Sequence, residues 1–393
     1  MLTLRLTEVT EAYLQNLYDD KTPESASLEF KQELPSATPE GRLEQMKDVC
    51  ALANADGGDL IYGIAEVKAT ASKLMPITSE KPDAARRRMT SVLDLIEPRI
   101  QGIQIQPLES SSAGFFLMVR VPASFNGPHS SLRDDHLRRF VMRNGSSTTD
   151  MSMDQIRTAF DRTASLADRA RSFIDGRLAL IAERKTWRPL PAGPIATAIW
   201  VPLSGVAGRT SIDIAALSNT YNQLAFQEWR SISRTMNLDG LVVFPGGTRD
   251  EVGVGFTQVF RTGPMLAVRS AARLATAGTS IPSTVVTKFY REAIAKFSKE
   301  SNRLGLSGPA IVKCALMHVD GYTLGVGGDW DGYVASADRP DISLPEAWVD
   351  AIENVTTDSQ INAIVQPMMD VLWQAFDVER CHEFALDGAW QPR

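Results

Sequence analysis

Apolar positions in the N-terminal third change period several times, and each change predicts an element. Leu6, Val9, Tyr13, Leu14 and Leu17 recur at helical spacing, so residues 1–20 predict a short amphipathic helix. After the turn signal Lys21-Thr22-Pro23, the string Ser27-Leu28-Glu29-Phe30-Lys31 alternates polar and apolar residues as a half-buried strand does. Leu28 and Phe30 then face a core, and Glu29 and Lys31 point together to the opposite face. A helix is predicted over 39–53, with Leu43, Met46, Val49, Cys50 and Ala53 on one stripe, ended by Asn54-Ala55-Asp56-Gly57-Gly58. The apolar run 60–64 predicts a central strand, 84–96 a second helix closed by Pro98, and 100–106 and 115–121 two further strands.

Beyond residue 150 the pattern changes character. Residues 151–187 lack proline and are rich in helix formers, which predicts a helical connector. Arg188-Pro189-Leu190-Pro191-Ala192-Gly193-Pro194 reads as a linker. Strand-like runs at 196–203, 240–244, 255–260, 265–268 and 311–319 then mix with helical ones at 212–229, 284–304 and 360–376. The expected fold class is therefore α+β throughout, with an N-terminal domain over 1–150, a connector over 151–187 and a second α+β domain over 188–393.

Composition narrows the setting. At 44% hydrophobic and 22% charged, the chain has ample core material and lies in the ordinary globular range. No apolar run approaches the roughly 18 residues that span a bilayer, and the three cysteines are odd in number and widely spaced. Both features predict a cytoplasmic protein with no membrane partner. The net charge of −6 means that any nucleic-acid contact must come from a local basic surface.

Several linked strings carry a family resemblance. Glu24-Ser-Ala-Ser-Leu-Glu29-Phe-Lys31, then Val49-Cys-Ala-Leu-Ala-Asn54-Ala-Asp-Gly57-Gly58-Asp-Leu-Ile-Tyr-Gly63-Ile64, and then Arg139-Phe140-Val-Met-Arg143-Asn144-Gly145 closely resemble the signature of the Schlafen AlbA domain over roughly residues 20–150. The resemblance implies a bacterial, divalent-metal-dependent nuclease with RNA favoured over DNA, in particular tRNA-like substrates, and a role in antiviral defence. It makes Glu24 and Glu29 the ligands of Mg²⁺ or Mn²⁺. The family's third carboxylate, an aspartate, corresponds here to Ala65, followed by Glu66. A shift of one residue flips a strand side chain, so Glu66 can serve only if a bulge re-aims it.

The residues also allow direct chemical readings. Carboxylate-held Mg²⁺ or Mn²⁺ polarises a phosphate and activates water, and Lys31, beside Glu29, can stabilise charge developing on the scissile phosphate. The competing reading is a solvent-facing Glu29–Lys31 pair on an ordinary strand. Asn54 and Asp56 read most simply as turn residues bonded to local backbone. His129 reads as a loop histidine. No GxxxxGK[ST] string occurs, so no ATP site is expected. Arg86, Arg87 and Arg88 on the second helix, and Arg133, Arg138, Arg139 and Arg143 around the last strand, are the candidate phosphate contacts. Two other functions compete with the nuclease: a non-catalytic nucleic-acid-binding regulatory protein, and an oligomeric scaffold, with homo-oligomerisation left open.

Overall fold

A computed structural model describes every residue except 1, 3, 5, 133–137, 209, 272–278, 327–331 and 392–393. Arg133 lies outside the described residues. The chain forms two compact units, Met1–Ser165 and Leu166–Arg393, whose boundary falls inside the helix Met153–Ala182. Both units mix helices with sheets, as the α+β pattern predicts.

In the first unit the strands are β1 (Leu28–Lys31), β2 (Gly57–Tyr62), β3 (Ile64–Glu66), β4 (Ala71–Leu74), β5 (Gln104–Glu109), β6 (Phe115–Pro122), β7 (Ser130–Leu132), β8 (Arg138–Asn144) and β9 (Ser147–Asp150). The helices are α1 (Glu11–Asp19), α2 (Pro39–Asn54) and α3 (Pro82–Leu93). The central sheet runs β1-β2-β6-β5, with β1 and β2 parallel and the other pairs antiparallel. One face packs Leu28, Phe30, Ile61, Phe116 and Met118 against Leu6, Val9 and Leu14. The other packs Leu60, Tyr62, Leu117 and Val119 against Val49, Leu52 and Met89 of α2 and α3. Burial on both faces explains why β2 and β6 read as continuous apolar runs.

Several expected boundaries move for identifiable reasons. β2 begins at Gly57, earlier than the apolar run, because its first residues press against the β1 segment: a Cβ on Gly58 would lie 2.7 Å from the Ser27 carbonyl oxygen. Gly63, at φ +98°, ends that strand, so Ile64 starts β3 instead of closing β2. The N-terminal helix is shorter than its apolar spacing suggests. Leu6 belongs to a separate 3₁₀ turn, and α1 starts only after Thr10, whose hydroxyl accepts the Tyr13 N–H. The strand expected over 100–106 is β5, beginning at Gln104, while Ile100 packs into the core beneath α3.

The helix α2 is not half-exposed as a single apolar stripe would imply. The sheet and the β7–β8 hairpin both pack against it, and Gln45, Asp48 and Asn54 are buried along with Val49 and Cys50. A buried aspartate and asparagine need partners, and these turn out to organise the unit.

The second unit is an antiparallel sheet in the order Ile232–Met236, Gly240–Pro245, Gly255–Phe260, Met265–Ser270, Ile195–Pro202, Ala310–Met317, Asp341–Ser343. The helices Ser283–Arg303 and Asp358–Gln374 bury their apolar faces in its core. The long helix expected over 212–229 is replaced by Ile214–Ser218 and a 3₁₀ turn, Tyr221–Leu224. Phe226 stacks on Phe289 with ring centroids 5.1 Å apart, and this packing outweighs the local helical period. The proline-rich stretch expected as a linker is pinned at its start. Arg188 is buried and donates to the carbonyls of Pro245, Thr248 and Glu251. Among the described residues, no helix is long and apolar enough to cross a membrane.

Candidate functional site

The alternation of β1 does place Glu29 and Lys31 on one face, but that face is interior. α2 and β8 cover it, and Glu29 is only 6% exposed. Both of its carboxylate oxygens are taken. Lys31 Nζ lies 3.0 Å from Oε1, and Arg143 Nη1 donates to Oε2 at 2.6 Å. Arg143 also donates through Nη2 to the Ser25 carbonyl, 3.1 Å away. The Lys31 ammonium continues the network to Asp48 Oδ2 at 3.3 Å and Glu44 Oε1 at 4.0 Å. Burial works against the charge on Lys31, but Asp48 and Glu29 together outweigh it and hold the lysine pKa above its ordinary value. Beside this network, burial first and the carboxylates of Asp48 and Glu29 next push the Tyr62 hydroxyl well above its usual pKa, so it stays neutral.

The other two carboxylates each accept a local backbone N–H through one oxygen. Glu24 Oε1 accepts the N–H of Phe30, within β1, at 2.8 Å. The β3–β4 hairpin does carry the bulge that Glu66 would need, since its register shifts between Ala65 and Glu66. The bulge delivers Glu66 to the hairpin's own exposed turn, where Oε2 accepts the Ala69 N–H at 2.6 Å. Lys68 and Ala69 in that turn have φ +53° and +55°, a left-handed pair that the Glu66 bond supports.

These residues do not fit a divalent metal. A hard cation needs several oxygen ligands with free lone pairs. Here Glu29 faces an ammonium and a guanidinium, Glu24 serves a backbone N–H, and Ala65 supplies no donor. Among the described residues, no group of three or more His, Cys, Asp or Glu side chains is placed to hold a metal ion. Lys31, expected beside a scissile phosphate, is instead surrounded by carboxylates.

The arginines divide by depth. Arg143 is 5% exposed, so its expected phosphate contact has no surface to occur on. Arg88 is half-buried and reaches the Pro35 carbonyl and Glu80, which removes it from the surface group as well. Arg86 and Arg87 are exposed on α3, with Arg86 3.3 Å from Asp83. Arg138 pairs with Glu97, and Arg139 with Asp150 through Nε at 2.5 Å and Nη2 at 3.0 Å. Exposed pairs of this kind contribute about 0–1 kcal/mol each, so a phosphate can compete for those arginines.

Asn54 is not a turn residue bonded to nearby backbone. Its Nδ2 donates to the carbonyls of His129 and Val141, each at 2.8 Å, and its Oδ1 accepts the His129 N–H at 2.7 Å. It joins the end of α2 to two distant segments. His129 does lie in the loop before β7, but it is fully buried there, with Nδ1 against the Pro98 carbonyl and Nε2 against the Ser124 hydroxyl. Burial lowers its pKa from the ordinary 6.5, against the Pro98 hydrogen bond. The sequence reading missed Asp48 and Asp59. Asp59 holds Arg120, its cross-strand partner, at 2.7 Å and the Leu2 N–H at 2.6 Å. Asp59 directly precedes the apolar run Leu60-Ile61-Tyr62, a signal that it is buried, whereas Asp48, next to Lys47, carries no such local signal.

The family model for the Schlafen AlbA_2 domain matches residues 24–152. Residues 24–152 form a Schlafen AlbA-type domain. The match begins at Glu24 and ends two residues past β9, so it contains β1, α2, β8 and the whole ion network. The Schlafen AlbA family ties this part of the chain to nucleic-acid-related function. Among solved structures, the crystal structure of the DIP2311 protein from Corynebacterium diphtheriae is 18% identical, with a TM-score of 0.25. That match covers 36% of this chain and 30% of the other. No curated protein matches the chain.

Proposed function

We propose that the Schlafen AlbA-type domain of this chain binds nucleic acid without cutting it. The observation that carries this reading is the double occupation of Glu29. Its carboxylate is neutralised by Lys31 and Arg143 from within the domain, while Ala65 stands where the family places its third acid. Cleavage through a carboxylate-held metal needs those oxygens free, whereas binding needs only surface cations. Arg86, Arg87, Arg138 and Arg139 are the surface cations assigned to this role, and Arg86, Arg138 and Arg139 can each exchange an exposed carboxylate for a phosphate.

The test is filter binding of a labelled structured RNA and a DNA of matched length to the full chain, in EDTA and in Mn²⁺, with the same samples run on a denaturing gel. The reading expects retention in EDTA, loss of retention as salt rises, and intact nucleic acid in Mn²⁺. Mn²⁺-dependent cutting that Glu29→Ala abolishes would establish the nuclease instead. Failure to retain either nucleic acid at low salt would overturn the binding reading altogether.

A further inference from the structure

Ser124 and His129 take no part in the ion network around Glu29, and they form a hydroxyl–imidazole pair of their own. His129 Nε2 lies 2.5 Å from Ser124 Oγ, and Nδ1 lies 2.5 Å from the Pro98 carbonyl oxygen. A carbonyl oxygen can only accept, so Nδ1 carries the proton of the neutral ring and Nε2 is left bare. Ser124 must then donate its hydroxyl proton to Nε2. Burial, which holds His129 below its ordinary pKa, favours that neutral ring. The histidine is fixed through its backbone as well: Asn54 Oδ1 accepts its N–H and Asn54 Nδ2 donates to its carbonyl. The Ser124 N–H is held by the Ala53 carbonyl at 3.0 Å.

We infer that Ser124 is a nucleophile activated by His129 and that it takes the acyl group of a small carboxylic ester. A hydroxyl within reach of a bare imidazole nitrogen, with the imidazole oriented by a third group, is the arrangement that nucleophilic catalysis by serine needs. His129 is fully buried and Ser124 half-buried, so an ester meets the hydroxyl from the solvent side while the base stays dry. Two main-chain donors adjoin the nucleophile. The Asn126 N–H points at Ser124 Oγ from 3.1 Å, and the Phe125 N–H has no acceptor among the described residues. Donors there can meet the negative charge that develops on the acyl oxygen. In the reaction Ser124 Oγ bonds to the acyl carbon and its proton passes to His129 Nε2. The ester C–O bond breaks, and Nε2 returns the proton to the departing alcohol. Water then adds to the acyl carbon, gives a proton to Nε2, and Ser124 leaves with that proton as the acid is released. The inference stands whether or not the domain binds nucleic acid.

The experiment treats the full chain with phenylmethanesulfonyl fluoride, whose sulfur accepts a serine oxygen as fluoride leaves, and locates the label by mass spectrometry. Hydrolysis of p-nitrophenyl acetate is followed beside it, and thermal unfolding confirms that each variant is folded. Folded wild type is expected to carry the sulfonyl group on Ser124 and to cleave the ester about a hundredfold or more faster than Ser124→Ala. The same chain in urea should stay unlabelled at Ser124, which separates an activated hydroxyl from an ordinary one. Folded His129→Gln should also stay unlabelled. An unmodified Ser124 in folded wild type, equal labelling in urea or in folded His129→Gln, or ester cleavage by Ser124→Ala at the wild-type rate would each overturn the inference. If a variant does not fold, the comparison of native and urea-treated wild type decides the matter.

Discussion

Arg143 donates to Glu29 across 114 positions of the chain, at 2.6 Å and out of contact with solvent. This pairing ties β8 to β1 over the flank of α2, and through Lys31 and Asp48 it joins a network that also takes in Glu44 and Lys47. Asn54 performs the neutral counterpart at the end of α2, holding the backbone of the same hairpin. The segments that carry the family's signature strings are thus held to one another by side chains from inside those strings.

Asn54→Ala would strand two buried carbonyls and one buried N–H. Each unsatisfied group costs about 1–3 kcal/mol, so a loss of roughly 3 kcal/mol or more is expected in urea unfolding of the full chain. Asn54→Asp should be at least as damaging, because an acid cannot donate to the carbonyls of His129 and Val141. A loss below about 1 kcal/mol for Asn54→Ala would contradict the role assigned to it.

The buried His129 sets a pH dependence. Its folded pKa lies below the ordinary 6.5, so the unfolded chain takes up the proton more readily. Its contribution is complete above the unfolded value and declines as pH falls below 6.5 toward the lower folded value. Unfolding measured between about pH 7 and pH 5 should show wild type losing stability faster than His129→Gln, which cannot titrate. Parallel curves for the two proteins would remove His129 as the cause.

The exposed arginines give a prediction in the opposite direction, large for binding and small for folding. Arg138→Ala with Arg139→Ala should weaken retention of RNA and DNA alike and lower the salt slope by about one unit for each phosphate left without its arginine. Stability should change by less than about 1 kcal/mol per residue, because both pairs with Glu97 and Asp150 are exposed. Salt-dependent filter binding beside urea unfolding checks both halves. An unchanged salt slope would place the phosphate-binding surface elsewhere, with Arg86 and Arg87 next to be tested.

Much of the N-terminal domain was legible in its periodicity. The alternation of Leu28, Glu29, Phe30 and Lys31 correctly paired Glu29 with Lys31 on one face, because strand geometry is local. What covers that face was not legible, since Arg143 and Asp48 reach it from β8 and α2 and no local pattern encodes those contacts. Hence a pair readable as solvent-facing or metal-binding is neither in this structure. The same holds for Asn54 and His129, whose partners lie 75 positions apart. In the second unit, Ile214–Ser218 began as the helical period predicts, but the burial of Phe226 and Trp229 ended the helix early. Tertiary packing there overrides a local preference worth only tenths of a kcal/mol per residue.

The central claim is that Glu29 belongs to an internal ion network and is not available as a ligand. A double-mutant cycle on Glu29→Gln and Arg143→Met, read by urea unfolding in EDTA, tests it most directly. Glu29→Gln should cost about 3–5 kcal/mol by leaving the buried Arg143 without its carboxylate, Arg143→Met somewhat less because Lys31 still faces Glu29, and the double variant should fall short of their sum by roughly 2 kcal/mol or more. Losses that simply add, within about 0.5 kcal/mol, would mean that the two side chains do not depend on each other, and the account would fail.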